Sequence, residues 1–211
     1  AGEVGDAGGG VTMRLLVFTT LFPNRNVPHH GIFVLERLRH WLARGAEPGA
    51  PGAGETREAI VIAPVPFVPK LLARGPYAAF RDLPAEETVA GIRVLPPRCA
   101  LLPKVGMSLA PLSLARAGIK CAQRLVAAGE RFDLLDAHYL YPDAVAAAFV
   151  ARRLGLPLVV TARGSDVTLL PRHAPPRCFM RWMLRRASAG IVVAEALKPE
   201  LARLAPPGLP L

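Results

Sequence analysis

Two short polar clusters hold the residue types that could do chemistry. They are Asp136, His138, Tyr139, Tyr141 and Asp143 in DAHYLYPD, and Arg163, Gly164, Ser165 and Asp166 in RGSD. An imidazole with an unperturbed pKa of about 6.5 can take up or return a hydroxyl proton near neutrality, which makes His138 the first catalytic candidate. Asp136 stands two positions earlier, so on a continuing strand the two share a face and the carboxylate can orient the ring. The alternative for Asp136 is a strand-end carboxylate that bonds local amides. In the second cluster the Gly164 and Ser165 amides can form an anion-receiving turn, and Arg163 supplies a planar cation suited to phosphate. Asp166 is either a hydroxyl acceptor or an Asx-turn residue.

Both clusters need the end of a strand to hold them. FDLLDA is an apolar run that stops at Asp136, and PLVVTA ends at Arg163. Between them VAAAFVARRLG reads as a helix, started by Pro142 and capped by Asp143. The stretch Arg131–Thr168 is therefore one βαβ unit, and both polar loops lie just outside the carboxyl ends of its strands, where open α/β sheets bind ligands.

The rest of the chain extends this unit. Residues 1–12, AGEVGDAGGGVT, read as a flexible tail. Arg14–Thr20 is a buried parallel-type strand. FPNRNVPHHG then forbids helix until Gly31. The helix that follows places Ile32, Leu35, Leu38 and Leu42 on an apolar stripe and turns Arg37, Arg39 and Arg44 outward. Gly31 at that helix start either lets the backbone approach a phosphate or only permits a tight turn. His29 and His30 beside it could donate to phosphate, though adjacent histidines are commonly plain loop residues. Gly45–Glu58 reads as a flexible insertion. Ala59–Ala63 is a second strand, APVPFVPK breaks structure, Gly91–Leu95 is a third strand and Leu109–Ala128 a long helix; 77–87 has no clear assignment. A helix with Arg177, Arg181 and Arg185 four apart carries Phe179, Trp182 and Met183 over its remaining faces. It would suit an anionic membrane surface, or pack its apolar side and leave a solvated Arg stripe. A strand at Ala189–Val193 and a helix at Ala196–Leu204 close the pattern.

Composition sets wider bounds. At 211 residues and 52% hydrophobic, the chain suits one globular α/β domain. No apolar run reaches the roughly 18 residues of a spanning helix, and the start lacks a signal-peptide pattern, so a cytoplasmic place is expected. Cys99, Cys121 and Cys178 suggest neither disulfides nor a metal pair and are expected as buried thiols. The formal charge of +10 implies anionic company. Nucleic acid is the weakest choice, because no basic stripe is interleaved with aromatics.

DAHYLYPDAVAA and TARGSDV resemble segments of the acceptor-side, N-terminal domain of family 4 glycosyltransferases of the GT-B type, in particular the bacterial exopolysaccharide group. FPNRNVPHHGIFVLERLRHWLARG and IAPVPFVP resemble that domain's opening, and GIVVAEALKPEL its close, so the resemblance spans most of Met13–Leu204. It implies an open, doubly wound, mostly parallel Rossmann-like sheet over residues 13–204, with 205–211 beginning an interdomain linker. It further implies a retaining, hexosyltransferase-type reaction from a nucleotide-sugar donor to a saccharide or lipid-linked acceptor, with no cofactor and no metal. By the same resemblance His138, in an H-x-x-x-P segment, contacts the donor sugar, and the loop with His30 and Gly31 faces the donor diphosphate. Tyr139, Gly164, Ser165 and Asp166, with Arg163, are the candidates for the acceptor or sugar side, and if the acceptor is lipid-linked, Arg177, Arg181 and Arg185 are expected to face the inner surface of the cell membrane. Two positions depart from the family's usual pattern: many relatives carry Gly at Ala144 and His at Arg163. The family's second domain supplies most nucleotide contacts, so the present chain alone is expected to be inactive.

Two other classes remain on the sequence. A non-catalytic saccharide- or nucleotide-binding domain would show the same loops. A dinucleotide-dependent oxidoreductase would need G-x-G-x-x-G after the first strand, where FPNRNVPHHG stands instead.

Overall fold

Runs that are apolar at every position, such as LLVF and LVVTA, can be buried only where helices cover both faces of a sheet. In the computed structural model, which describes residues 12–45, 54–67, 79–100 and 106–211, they take that place. In chain order the elements are β1 (Thr12–Phe18), α1 (Ile32–Arg44), β2 (Thr56–Ile62), β3 (Val65–Pro66), β4 (Glu87–Val89), β5 (Ile92–Leu95) and β6 (Arg98–Cys99). They continue with α2 (Gly106–Ala127), β7 (Leu134–His138), α3 (Val145–Leu154), β8 (Leu158–Ala162), α4 (Ser165–Thr168), α5 (Ala174–Leu184), β9 (Ala189–Val192) and α6 (Lys198–Leu204).

Seven strands form one sheet in the order β4-β5-β2-β1-β7-β8-β9, and β3 pairs with β6 beside it. Every pairing in the large sheet is parallel except that of β4, which runs antiparallel at the edge. This is the expected open, mostly parallel, Rossmann-like α/β fold. Alternation along β1 divides the core: Leu16 and Phe18 pack with α2, α3 and α5, while Leu15 and Val17 pack with Val34, Leu35 and Leu38 of α1. β1, β7 and β8 are neighbours, so the loops after them meet at one carboxyl edge.

Several local expectations change. β2 starts at Thr56, already paired with Thr12, so the flexible insertion stops short of Glu58; residues 46–53 lie outside the described residues, as do 1–11 of the tail, 68–70 and 77–78. The prolines after β2 do not end pairing, because Val65 and Pro66 sit beside Arg98 and Cys99 on a two-residue edge where one missing donor is tolerated. Ile32 is 41% exposed instead of lying on the buried stripe of α1. Arg37, expected outward, turns toward β7 and bonds Asp136. Asp143 caps no helix: it is fully buried and accepts from Thr19 and Thr20 beyond β1. Cys99 and Cys121 are buried thiols, but Cys178 is exposed. Residues 205–211 return along β9, where Gly190 N–H donates to the Pro210 carbonyl at 2.8 Å and Leu209 and Leu211 join the core. Among the described residues no helix is long and apolar enough to cross a membrane.

Candidate functional site

Every buried polar side chain among the described residues, namely Thr19, Asn24, Asp136, His138, Asp143, Thr161 and Asp166, stands on β1, β7, β8 or the loops that leave their carboxyl ends. Buried polar groups cost free energy unless they are bonded, so their collection at one edge marks a site built for something other than packing.

At its centre is His138. The strand does not stop at Asp136; it continues through His138, so the two side chains share a face, and the imidazole is only 2% exposed. Arg163 Nη2 lies 3.0 Å from Nδ1, while Arg37 Nη1 lies over the ring, 3.1 Å from Nε2 and 3.3 Å from Nδ1. The Arg163 donor takes Nδ1 as its acceptor, which places the proton on Nε2, facing Asp136 Oδ2 at 3.3 Å. Arg37 Nη1 reaches the same oxygen at 2.9 Å and Thr161 Oγ1 at 3.3 Å. Asp136 thus bonds side chains, not local amides, and its Oδ1 is buried without a partner.

Burial pushes the His138 imidazole below its ordinary range, and Arg37 and Arg163 push the same way against the pull of Asp136. Burial opposes the charge of Asp136 too, but the His138 N–H and Arg37 outweigh it and hold the carboxyl low. The pair is therefore an anion beside a neutral ring. Burial, with Arg37 nearby, lowers the Arg163 guanidinium.

Two carboxylates fasten the surrounding loops. Asp166 is fully buried and accepts from the backbone N–H groups of Leu140 at 2.8 Å, Arg163 at 2.9 Å and Gly164 at 2.8 Å. It ties the β8 loop to the β7 loop, and it takes the Gly164 amide that could have met an anion. Asp143 does the same between the β7 and β1 loops, accepting the Thr20 N–H at 2.5 Å and the Thr20 hydroxyl at 2.9 Å. Burial wins over these donors and pushes the Asp143 carboxyl up to about 7.

The remaining candidates sit around this cluster. Tyr139, at φ 75° and ψ 113°, is held in a strained backbone region, and its hydroxyl meets Ser165 Oγ at 2.7 Å across the two loops. Gly31 starts α1 at φ 66°, buried against the Leu21–Phe22 peptide. The His30 ring turns back to the Thr20 carbonyl at 3.0 Å. Arg177, Arg181 and Arg185 stand on and just beyond α5. Arg181 and Arg185 are exposed, while Phe179 and Trp182 are half-buried and pack on Tyr141 and Phe149.

Sequence reasoning missed Arg37 and Phe33. Phe33 carries the Arg163 guanidinium 4.3 Å above its ring. The signal for Arg37 was its spacing: it lies three residues after Val34 and four before Trp41, on the flank of the buried stripe.

A doubly wound sheet whose buried polar groups gather at its carboxyl edge defines a ligand-handling α/β domain. Residues 71–208 match Glycosyltransferase Family 4, and the chain belongs to that family. The match leaves out the β1–α1 opening. The glycosyltransferase TuaC of Bacillus subtilis, provisionally named for teichuronic acid biosynthesis, is 26% identical over 192 residues, covering 88% of this chain and 45% of its own length. An uncharacterized glycosyltransferase of Methanocaldococcus jannaschii is 28% identical over 72 residues, 34% of this chain and 20% of its own. The chain thus spans less than half the length of either relative. A solved UDP-N-acetylglucosamine 2-epimerase from Rickettsia bellii aligns over 95% of this chain and 44% of its own, with 12% identity and a TM-score of 0.47.

Proposed function

We propose that this chain is the acceptor-side half of a retaining, hexosyltransferase-type enzyme. It would move a sugar from a nucleotide-sugar donor to a saccharide or lipid-linked acceptor, on the exopolysaccharide side of the family. The observation that carries this reading is a family member's sheet edge holding a neutral, buried imidazole between a carboxylate and two guanidinium groups. His138 would contact the donor sugar, with Asp136 and Arg163 fixing its tautomer; Arg163 and the loop at Gly31 would face anionic groups, and no metal would be needed. Ile32, Phe33, Leu169 and Val193 rim the same edge and are 41%, 45%, 51% and 52% exposed. A second domain and the bound donor would cover them.

The same reading places the enzyme in the cytoplasm, at the inner face of the membrane. In support, α2, α3 and α5 lie on one side of the sheet and contain no Asp or Glu, while carrying Arg116, Lys120, Arg124, Arg152, Arg153, Arg177 and Arg181. A groove of about 500 Å3 between α2 and α3 adds Leu112 and Ile119 to that surface. Sedimentation with anionic liposomes, lost at high salt and absent with neutral lipid, is the expected outcome; equal binding to both lipids would refute the membrane role.

The catalytic reading is tested by transfer assays on residues 1–211 and on a protein continued through a second domain. The short chain should transfer nothing, and the long one should give a product of retained anomeric configuration. His138→Gln in the long protein should lower turnover by about 100-fold. The removal of a buried network member will also lower the thermal midpoint, so the variant is read at a temperature where it is folded. Unchanged turnover there, or transfer by the short chain, would refute the assignment.

A further inference from the structure

Arg163 is poorly partnered for a guanidinium so close to the interior. Its Nη2 donates to a neutral ring nitrogen, its Nε is buried without an acceptor among the described residues, and its guanidinium lies against the Phe33 face 4.3 Å away. The Nε–Nη2 edge is a fork that takes a carboxylate or phosphate with two parallel bonds, and here half of it meets His138 and half meets nothing.

Arg37 makes its contacts through Nη1 alone, and its side chain is 38% exposed. Both cations converge on the His138 ring with one carboxylate, Asp136, at hand. Asp166 offers no second one, because its oxygens are occupied by backbone amides. Two like charges held this close repel, and an anion between them would relieve the repulsion.

We propose that Arg37 and Arg163 form a receptor for one oxyanion, a phosphate or carboxylate carried by the saccharide substrates, and that Arg163 leaves His138 to bind it and so uncovers the imidazole. The bond to His138 Nδ1 has a charge on the donor alone and uses one arm of the fork, whereas an oxyanion is charged itself and takes both arms, so the exchange of Nδ1 for an oxyanion is favourable. Phe33 keeps a flat aromatic platform under the guanidinium while the edge of the cation turns. Arg163 covers the one ring nitrogen with a free lone pair; once it moves, Nδ1 can accept a substrate hydroxyl. Only the identity of the carrier rests on the glycosyltransferase reading; the receptor does not.

The test uses the 211-residue chain with inorganic phosphate, followed by calorimetry and by the rate at which diethyl pyrocarbonate modifies His138. Phosphate should bind weakly and raise that rate several-fold. Arg163→Gln should remove the phosphate effect and leave His138 reactive at all times. Arg37→Gln should weaken phosphate binding by about tenfold. Arg163→Lys keeps the charge without the fork, and should bind phosphate between wild type and Arg163→Gln, with the thermal midpoint checking that each variant is folded. Phosphate that protects His138 or leaves its rate unchanged would overturn the proposal, as would wild-type phosphate binding by Arg163→Gln. A nucleoside diphosphate and a hexuronate then identify the carrier: the one that binds at least tenfold more tightly than phosphate, in an Arg163-dependent way, assigns the anion to donor or acceptor. Arg163-independent binding of both would overturn it. If the receptor holds and the longer protein never transfers sugar, the catalytic reading falls and the receptor stands.

Discussion

The two ends of the same parallel sheet treat charge in opposite ways. At the amino end, Arg14 pairs with Glu58 at 2.9 Å and the Arg14 N–H meets Asp133, with 39% and 52% of the Arg14 and Glu58 side chains exposed. Such pairs are bathed in water and replaceable. At the carboxyl end, Asp136, Asp143 and Asp166 are buried, and their partners come from α1, from the loop after β1 and from backbone amides of the β7 and β8 loops. The difference teaches that, among the described residues, buried carboxylates are confined to one end, while at the other even the 9% exposed Arg57 side chain bonds the Trp41 carbonyl and stacks on its ring. Packing alone would have put apolar side chains at the carboxyl end, so that end is shaped by what it must bind.

Glycine substitutions should break that comparison most sharply. Gly31, at the carboxyl end, has φ 66°, and an added Cβ would stand 2.2 Å from the Leu21 carbonyl oxygen. Gly155, after α3 at the opposite end, has a similar φ of 71°, but nothing lies within 4 Å of its Cβ position. Both alanines meet the left-handed cost of roughly 1–2 kcal/mol. Only Gly31→Ala must also displace backbone, so it should lose roughly 3 kcal/mol or more against about 1 for Gly155→Ala, read from denaturant midpoints. Equal losses would mean that the β1–α1 loop can shift freely.

Arginine truncations sharpen the same contrast. Arg37→Ala leaves Asp136 ionised and buried with the His138 N–H as its only donor. Loss of one partner of a buried pair costs several kcal/mol; with Arg37 38% exposed, a discounted loss of roughly 2 kcal/mol is expected. Arg14→Ala should cost about 0.5 kcal/mol. Thermal midpoints of the two variants compare them directly, and a larger loss for Arg14→Ala would reverse the roles given to the two ends.

What the sequence made legible follows from the range of the interactions. Strands β1, β7 and β8 and the polar loops after them could be read because a parallel sheet covered on both faces needs unbroken apolar runs that end in polar residues. Asp143 was misread because its position after Pro142 imitates a helix start, while Thr19 and Thr20, its true donors, lie 124 and 123 positions away. Arg37 was misread because Arg39 and Arg44 on the same helix do face outward, and residue type cannot separate a flank from a solvent face. On α5 the spacing showed a basic stripe, yet it could not show that Phe149 of α3 waits 4.4 Å from Trp182.

The most gradual effect expected is the pH dependence that Asp143 gives to the carboxyl end. Burial raises its carboxyl from 3.8 to about 7 in the folded chain, so the folded state holds a proton that the unfolded state releases. Through this group alone, stability is fully present at low pH and declines as pH rises from about 4 to about 7. His138 works in the other direction: its lowered value means that acid below about 6.5 favours the unfolded state, which protonates more readily. Asp143→Asn separates the two. An amide copies the neutral acid, its oxygen accepting the Thr20 N–H and its nitrogen donating to the Thr20 hydroxyl, and it does not titrate. The variant should therefore gain on wild type by roughly 1 kcal/mol per pH unit between about pH 5 and about pH 7, and hold a constant difference from about pH 8 upward. Urea midpoints across this range measure it. A difference that stays flat from pH 5 upward would mean that Asp143 is ionised in the folded chain and that its Thr19 and Thr20 donors, not burial, set its charge.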